Sequence, residues 1–188
     1  MSSLRNEYWD IDAILAEDER ITTKFAVHAV RLGFLDTSSQ TEDLQNGAKV
    51  DLPLWLSKKL RENGMVMVRV PPFLLAQSRT HMRANATGVD LRAASPYYYE
   101  VAQRVSELAD KQDEITESSL SILSQRYFAI LDNAQSAREE DVSEYVQKLT
   151  VLETELYHIA ADRAREIAKW KRREIDRVES GSKRSRRW

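Results

Sequence analysis

Glu155 and His158 stand three positions apart in Glu155-Leu156-Tyr157-His158. On a helix they share one face, at the spacing by which di-iron bundles hold metal. Such a site needs a second Glu-x-x-His pair and two further glutamates from other helices, and the chain has no second pair. Ordinary polar residues on a helix surface explain the pair better. Asp10 and Asp12 could hold magnesium through oxygen ligands. No acceptor cluster or phosphate loop accompanies them, and helix capping is the better account. His28, expected in a strand, and His81 and His158, expected in helices, each lack a neighbouring acid and nucleophile. The five glycines, Gly33, Gly47, Gly64, Gly88 and Gly181, are too scattered for a dinucleotide fingerprint or a phosphate-cradling loop. No serine sits in a nucleophile-elbow context. The chain has no cysteine, which excludes disulfides, thiolate metal sites and a cysteine nucleophile and points to a reducing compartment. The sequence thus assigns no catalytic residue, no cofactor and no metal, and a non-enzyme is expected.

Charge gives the remaining chemical signal. The formal net charge is -2, yet Arg163 to Trp188 carries +7, which leaves -9 on residues 1–162. The basic end contains Lys169-Trp170-Lys171-Arg172-Arg173 and Lys183-Arg184-Ser185-Arg186-Arg187-Trp188. Lysine and arginine with interleaved tryptophan can neutralise phosphates and stack a base. The same tract also suits a nuclear import signal or a solvated tail that complements a helix dipole. An acidic body with a basic end suggests separate partners for each.

The elements that must position these groups follow from composition and period. The 188 residues are 42% hydrophobic and 31% charged, enough for one ordinary domain or two small ones with a packed core. No apolar run approaches the roughly 20 residues of a membrane span, and no basic-then-apolar leader begins the chain, so neither membrane insertion nor secretion is expected. Tyr8-Trp9-Asp10-Ile11-Asp12-Ala13-Ile14-Leu15-Ala16 is too hydrophobic for an idle terminus. It reads as a short helix capped by Asp10 or Asp12, with Ile14 and Leu15 facing a core. Thr22 to Val30 alternates as a half-buried strand and Gly33 ends it; a short strand follows at Phe34-Leu35, then a polar loop from Asp36 to Asn46. Ala48 to Leu52 makes a third strand. Pro53 fits the first helical position, Leu54, Trp55 and Leu60 supply that helix's apolar face, and Gly64 closes it. Met65 to Val70 makes a fourth strand, stopped by Pro71-Pro72.

From Pro72 onward the period is helical. Phe73 to Met82 suggests a short helix, and Ser95-Pro96 starts another whose stripe is Tyr98, Val101, Val105 and Leu108. The polar run 110–114 interrupts the stripe, and Leu120, Leu123, Tyr127 and Ile130 resume it. Ser136 with Glu139 has capping-box spacing for a last and longest helix, from about Ala137 to Arg177. Its stripe of Val142, Tyr145, Leu149, Leu152, Leu156 and Ile159 meets Arg163 and Glu166 at the next two seam positions. The heptad therefore fails too early for a coiled coil, and the stripe drifts to Ala160, Ala164, Ile167 and Trp170. A globular bundle, or an interface with helices of other chains, is the consequence. The fold class is α+β: a small β-rich domain with short helices at 1–71, a larger all-α bundle at 72–179, and a basic tail at 180–188.

Five segments in order carry a likeness. They are Tyr8 to Ala16, Pro53-Leu54-Trp55-Leu56, Met65 to Pro72, Val89-Asp90-Leu91-Arg92, and Leu152 to Tyr157 followed by Lys169-Trp170-Lys171. Together they resemble subunit 3 of the eukaryotic GINS complex, a replication-fork assembly. The resemblance implies a non-catalytic scaffold in the nucleus, in a 1:1:1:1 heterotetramer with three other GINS subunits. It further implies that this complex joins the MCM helicase ring and its RecJ-like activator into the active replicative helicase. It places Trp9, Ile11 and Leu15 in the family's N-terminal segment and Pro53, Leu54 and Trp55 in its small-domain helix. Leu152, Leu156, Tyr157 and Trp170 fall in a late helix that packs between subunits, and Leu149 on the same stripe joins this interface set. DNA contact remains open, and the competing class is a free-standing nuclear DNA-binding helical protein using the basic end.

Overall fold

The structure, a computed structural model, describes residues 9–36, 41–109, 112–136 and 142–173. Helix α1 (Ile11–Glu17) opens it, and Asp10 is the cap: its carboxylate accepts the Asp12 and Ala13 amides at 3.1 and 3.3 Å. Asp12 instead accepts a 3.3 Å bond from the Tyr97 hydroxyl. The expected burial of Ile14 and Leu15 does not occur. They are 51% and 46% exposed, and the small Ala16 is what α1 buries.

Strand β1 (Arg20–Phe25) lies at the centre of an antiparallel sheet, between β2 (Lys49–Pro53) and β3 (Val66–Val68). Ile21, Thr23 and Phe25 point inward at period two, with Leu52 opposite Ile21 and Val66 opposite Phe25. The alternation predicts four strands, and three form among the described residues. Phe34-Leu35 is a single 3-10 turn (Gly33–Leu35), with Phe34 exposed. The Thr41–Glu42 backbone crosses there so closely that a Cβ on Gly33 would collide with the Thr41 carbonyl oxygen. β1 ends at Phe25, beyond which Ala29 makes only an isolated bridge to Leu44, so His28 lies in a loop and not in a strand.

Pro53 ends β2 and stands one position before α2 (Leu54–Glu62), not in its first turn, while the Leu54 amide donates to the Glu19 carbonyl at 3.0 Å. Leu54 is buried, but Trp55, expected beside it on the apolar face, is 52% exposed. Gly64 closes α2 at φ +69°, its N–H reaching Arg61 O at 2.8 Å and the Met65 N–H reaching Leu60 O at 2.9 Å. This is the Schellman arrangement, which a residue with a Cβ adopts only under strain.

A 3-10 turn (Pro72–Leu74) leads into α3 (Ala76–Ala84), α4 (Leu91–Ala94), α5 (Tyr98–Leu108), α6 (Gln112–Ser136), α7 (Val142–Gln147) and α8 (Val151–Lys171). The α5 stripe of Tyr98, Val101, Val105 and Leu108 is buried as its period requires. On α6 the expected line is rotated. Leu120 and Tyr127 are exposed, and the inward face is Ile115, Ile122, Arg126, Ile130 and Ala134. The single last helix is also two. It breaks at Thr150, whose hydroxyl caps α8 while the Val151 amide donates to Pro96 O at 3.0 Å. The longest described helix is therefore α6, at 25 residues against 21 for α8. Glu139 and the tail 180–188 lie outside the described residues, and the capping box that is observed pairs Thr150 with Glu153.

The main core runs from the sheet into the bundle, joining Ile21 and Leu54 to Leu74, Leu91, Tyr98 and Ile122. A second cluster under the sheet holds Phe25, Leu44, Val50, Leu52 and Val66, and a third, of Ile130, Ala134, Leu149 and Tyr157, closes the far end.

Candidate interaction surface

Helices α6 and α8 pack against each other and leave an apolar groove of about 590 Å³ between them. Tyr127 and Leu131 form one wall; Leu156, Ile159, Ala160 and Ile167 form the other. Those α8 positions recur at steps of three, one and seven, so they lie along one helix face. Ile159 and Ile167 are each more than half exposed. Phe128 and Leu120, further along α6, are exposed at 70% and 61%. Large exposed apolar side chains on a helix that already has a buried face mark a candidate contact surface.

A buried polar cluster fixes the angle between the groove walls. Arg126 on α6 donates to both Glu153 carboxylate oxygens, at 2.5 and 2.9 Å, and to the carbonyls of Ala86 and Val89 at 2.7 and 2.8 Å. Tyr99 on α5 donates to the same carboxylate at 2.7 Å, and the Thr150 amide adds a fourth bond to it at 3.1 Å. Burial opposes the Arg126 charge, but the hydrogen bonds and charge of Glu153 outweigh it, so the guanidinium pKa is raised. Burial, with the Glu153 charge and hydrogen bond adding to it, drives the Tyr99 phenol far above its ordinary value. Three helices and the loop before α4 thus meet at one satisfied ion pair.

The sequence-predicted interface residues separate into two groups. Leu54, Leu149 and Tyr157 are buried within the chain's own core, and Pro53, Leu152 and Leu156 are half-buried. Trp9, Ile11, Leu15, Trp55 and Trp170 are exposed, at 79%, 70%, 46%, 52% and 66%. Of the whole set only Leu156 lines the α6/α8 groove. Trp9, Ile11 and Leu15 belong to the separate N-terminal hook, where α1 packs on α5 and Glu17 pairs with Arg104 at 3.0 Å. Glu155 and His158 are exposed, and among the described residues no three His, Cys, Asp or Glu side chains converge to hold a metal.

A family model described as the GINS complex protein helical bundle domain matches residues 73–172, over half the chain, and one described as the PSF3 N-terminal domain matches residues 9–62. The chain belongs to the PSF3 family of GINS complex proteins. A relative named a probable DNA replication complex GINS protein PSF3, from Dictyostelium discoideum, is 28% identical over 176 residues. That alignment takes in 93% of this chain but 65% of the relative's length. DNA replication complex GINS protein PSF3 of Xenopus laevis is 29% identical over 168 residues, covering 88% of this chain and 80% of that protein. The Aspergillus fumigatus protein of that name is 27% identical over 171 residues, with 87% and 95% covered.

In this PSF3-family chain the N-terminal match begins at exposed Trp9, and the helical-bundle match contains both groove walls. The Arg126–Glu153 pair is not foreseen by sequence pattern. Its one legible trace is the Thr150-x-x-Glu153 spacing, which marks a helix start that a continuous apolar stripe obscures.

Proposed function

We propose that this chain is a non-catalytic scaffold subunit of a GINS complex acting in DNA replication in the nucleus, assembled 1:1:1:1 with three other GINS subunits. The complex joins the MCM ring to its RecJ-like activator, and ATP hydrolysis stays with the ring. The chain comprises a small β-rich unit (1–71), a helical unit (72–179) and a basic tail (180–188). The uncovered apolar groove between α6 and α8 is the observation that carries the reading. A helix from a neighbouring subunit lying in it would bury Ile159 and Ile167, while the hook residues Trp9, Ile11 and Leu15 with Trp55 give a second contact. Leu54, Leu149, Leu152 and Tyr157 hold these surfaces from beneath. The scaffold works by differential binding: it favours the helicase arrangement it can bridge, and needs no chemistry of its own. DNA contact, where it occurs, falls to the basic end, which begins with exposed Lys169, Lys171 and Arg173.

Co-expression with three partner GINS subunits tests this. Replacing Ile159 and Ile167 together by Asp should abolish co-purification while the chain keeps its own thermal transition, because both side chains are exposed in it. Undiminished co-purification of that variant would remove the groove from the account.

A further inference from the structure

A second groove, of about 800 Å³, runs beside β3, between the sheet edge and the start of α3. β3 is an edge strand, with no strand beyond it among the described residues. The Arg69 amide donates to Thr22 O and the Ala26 amide to Met65 O, at 3.1 and 2.9 Å, so the residues of β3 whose backbone faces β1 are the odd-numbered ones. The N–H and C=O groups of Val66 and Val68 consequently point away from β1; Val66 is buried, at 3% exposed, and half-buried Val68 is the β3 residue that offers both groups at the edge of the sheet. Val66, Val68 and Leu74 give this groove an apolar floor.

The groove carries positive charge. Among the described residues its lining includes Arg61 of α2 and Arg79 of α3 and no carboxylate. α3 begins there at Ala76 with no side-chain cap, because Leu75 holds the N-cap position; Leu75 and Ala76 line the groove, and the first amides of a helix have no partner within it. The Arg79 side chain is only 9% exposed; its contacts to Ser118 and Glu114 are 3.3 and 3.2 Å, and its Nε is buried with no hydrogen-bond partner.

We propose that this groove binds an extended acidic peptide segment of a partner protein. The segment adds to β3 as a fourth strand through the Val68 backbone groups and sets a carboxylate at the α3 N-terminus beside Arg79. Main-chain pairing supplies the affinity, and the apolar floor and the positive charge select side chains of β-branched and acidic type. The site is distinct from the α6/α8 groove, so it stands or falls independently of the assembly reading.

The experiment uses the full chain and a fluorescein-labelled heptapeptide of alternating valine and threonine with one aspartate, against the same peptide with asparagine there. Fluorescence polarisation should show the acidic peptide binding, and the asparagine form roughly tenfold more weakly. Val68→Pro removes the outward N–H without touching the β1 ladder, so it should fold and lose binding. Ala76→Asp places a carboxylate in the first turn of α3, which favours the helix. It should weaken the acidic peptide and leave the asparagine peptide unchanged. Equal binding by the native chain and both folded variants overturns the proposal, and so does failure of the acidic peptide to bind the native chain at about 1 mM.

Discussion

Arg126 and Glu153, 27 positions apart in the chain, meet through two parallel hydrogen bonds in a site where their side chains are 5% and 0% exposed. The remaining side-chain bonds of the pair go to Tyr99 of α5, to the Thr150 amide at the head of α8, and to the Ala86 and Val89 carbonyls of the loop before α4. The pair thereby fixes how α5, α6 and α8 sit against one another, and with them the shape of the groove.

Replacing Arg126 by Met should cost about 3–5 kcal/mol, because Glu153 is left buried without its counter-ion. The double variant with Glu153→Met should recover much of that loss, since a well-packed apolar pair removes both desolvation costs. Denaturant unfolding of the two single variants and the double variant measures the coupling. Additive losses would show that the two residues act independently.

Glu100 on α5 has a carboxylate oxygen that is buried with no hydrogen-bond partner among the described residues. Burial raises its pKa, with the Asp12 and Asp10 charges adding, against its own backbone hydrogen bond and Arg104. A carboxyl with a raised folded pKa binds its proton more tightly in the folded than in the unfolded chain. Its contribution is therefore present below the unfolded value, near pH 4.3, and is lost as pH rises through the folded one. Glu100→Gln should raise the thermal midpoint at neutral pH, with the gain shrinking as pH falls toward 4. A gain that grows on acidification would contradict the sign of the shift.

The outline of the fold is legible in the sequence because each of its elements has a local cause. Alternation through Thr23 and Phe25, the stripe from Tyr98 to Leu108, and Gly64 after α2 are set by neighbours a few residues away, and the structure keeps them. Pattern misleads where a distant group decides. Phe34-Leu35 is shaped by the Thr41–Glu42 backbone crossing Gly33. Tyr127 and Leu120 lose the inward face of α6 to Arg126, whose partner lies on another helix. The last helix breaks at Thr150, where Pro96 captures the Val151 amide. Ile14 and Leu15 are expected inward because apolar residues usually are. Their exposure beside Trp9 is the same signal that marks the candidate surface, and period alone cannot separate a core face from a docking face.

Deleting residues 180–188 removes Lys183, Arg184, Arg186 and Arg187 without touching α8. Four-subunit assembly from purified components should survive the deletion. Any DNA affinity of the chain should fall, with the slope of log affinity against log salt shallower by about 0.7–0.9 for each phosphate that is no longer neutralised. Filter binding across a salt series reads this, and failure to assemble after truncation would make the tail part of the interface.

The native mass of the particle formed when this chain is co-expressed with three other GINS subunits tests the scaffold account most directly. The account predicts a single species containing one copy of each chain, which the Ile159→Asp, Ile167→Asp variant fails to join. A stable monomer of this chain beside a complex of the remaining three subunits would contradict it.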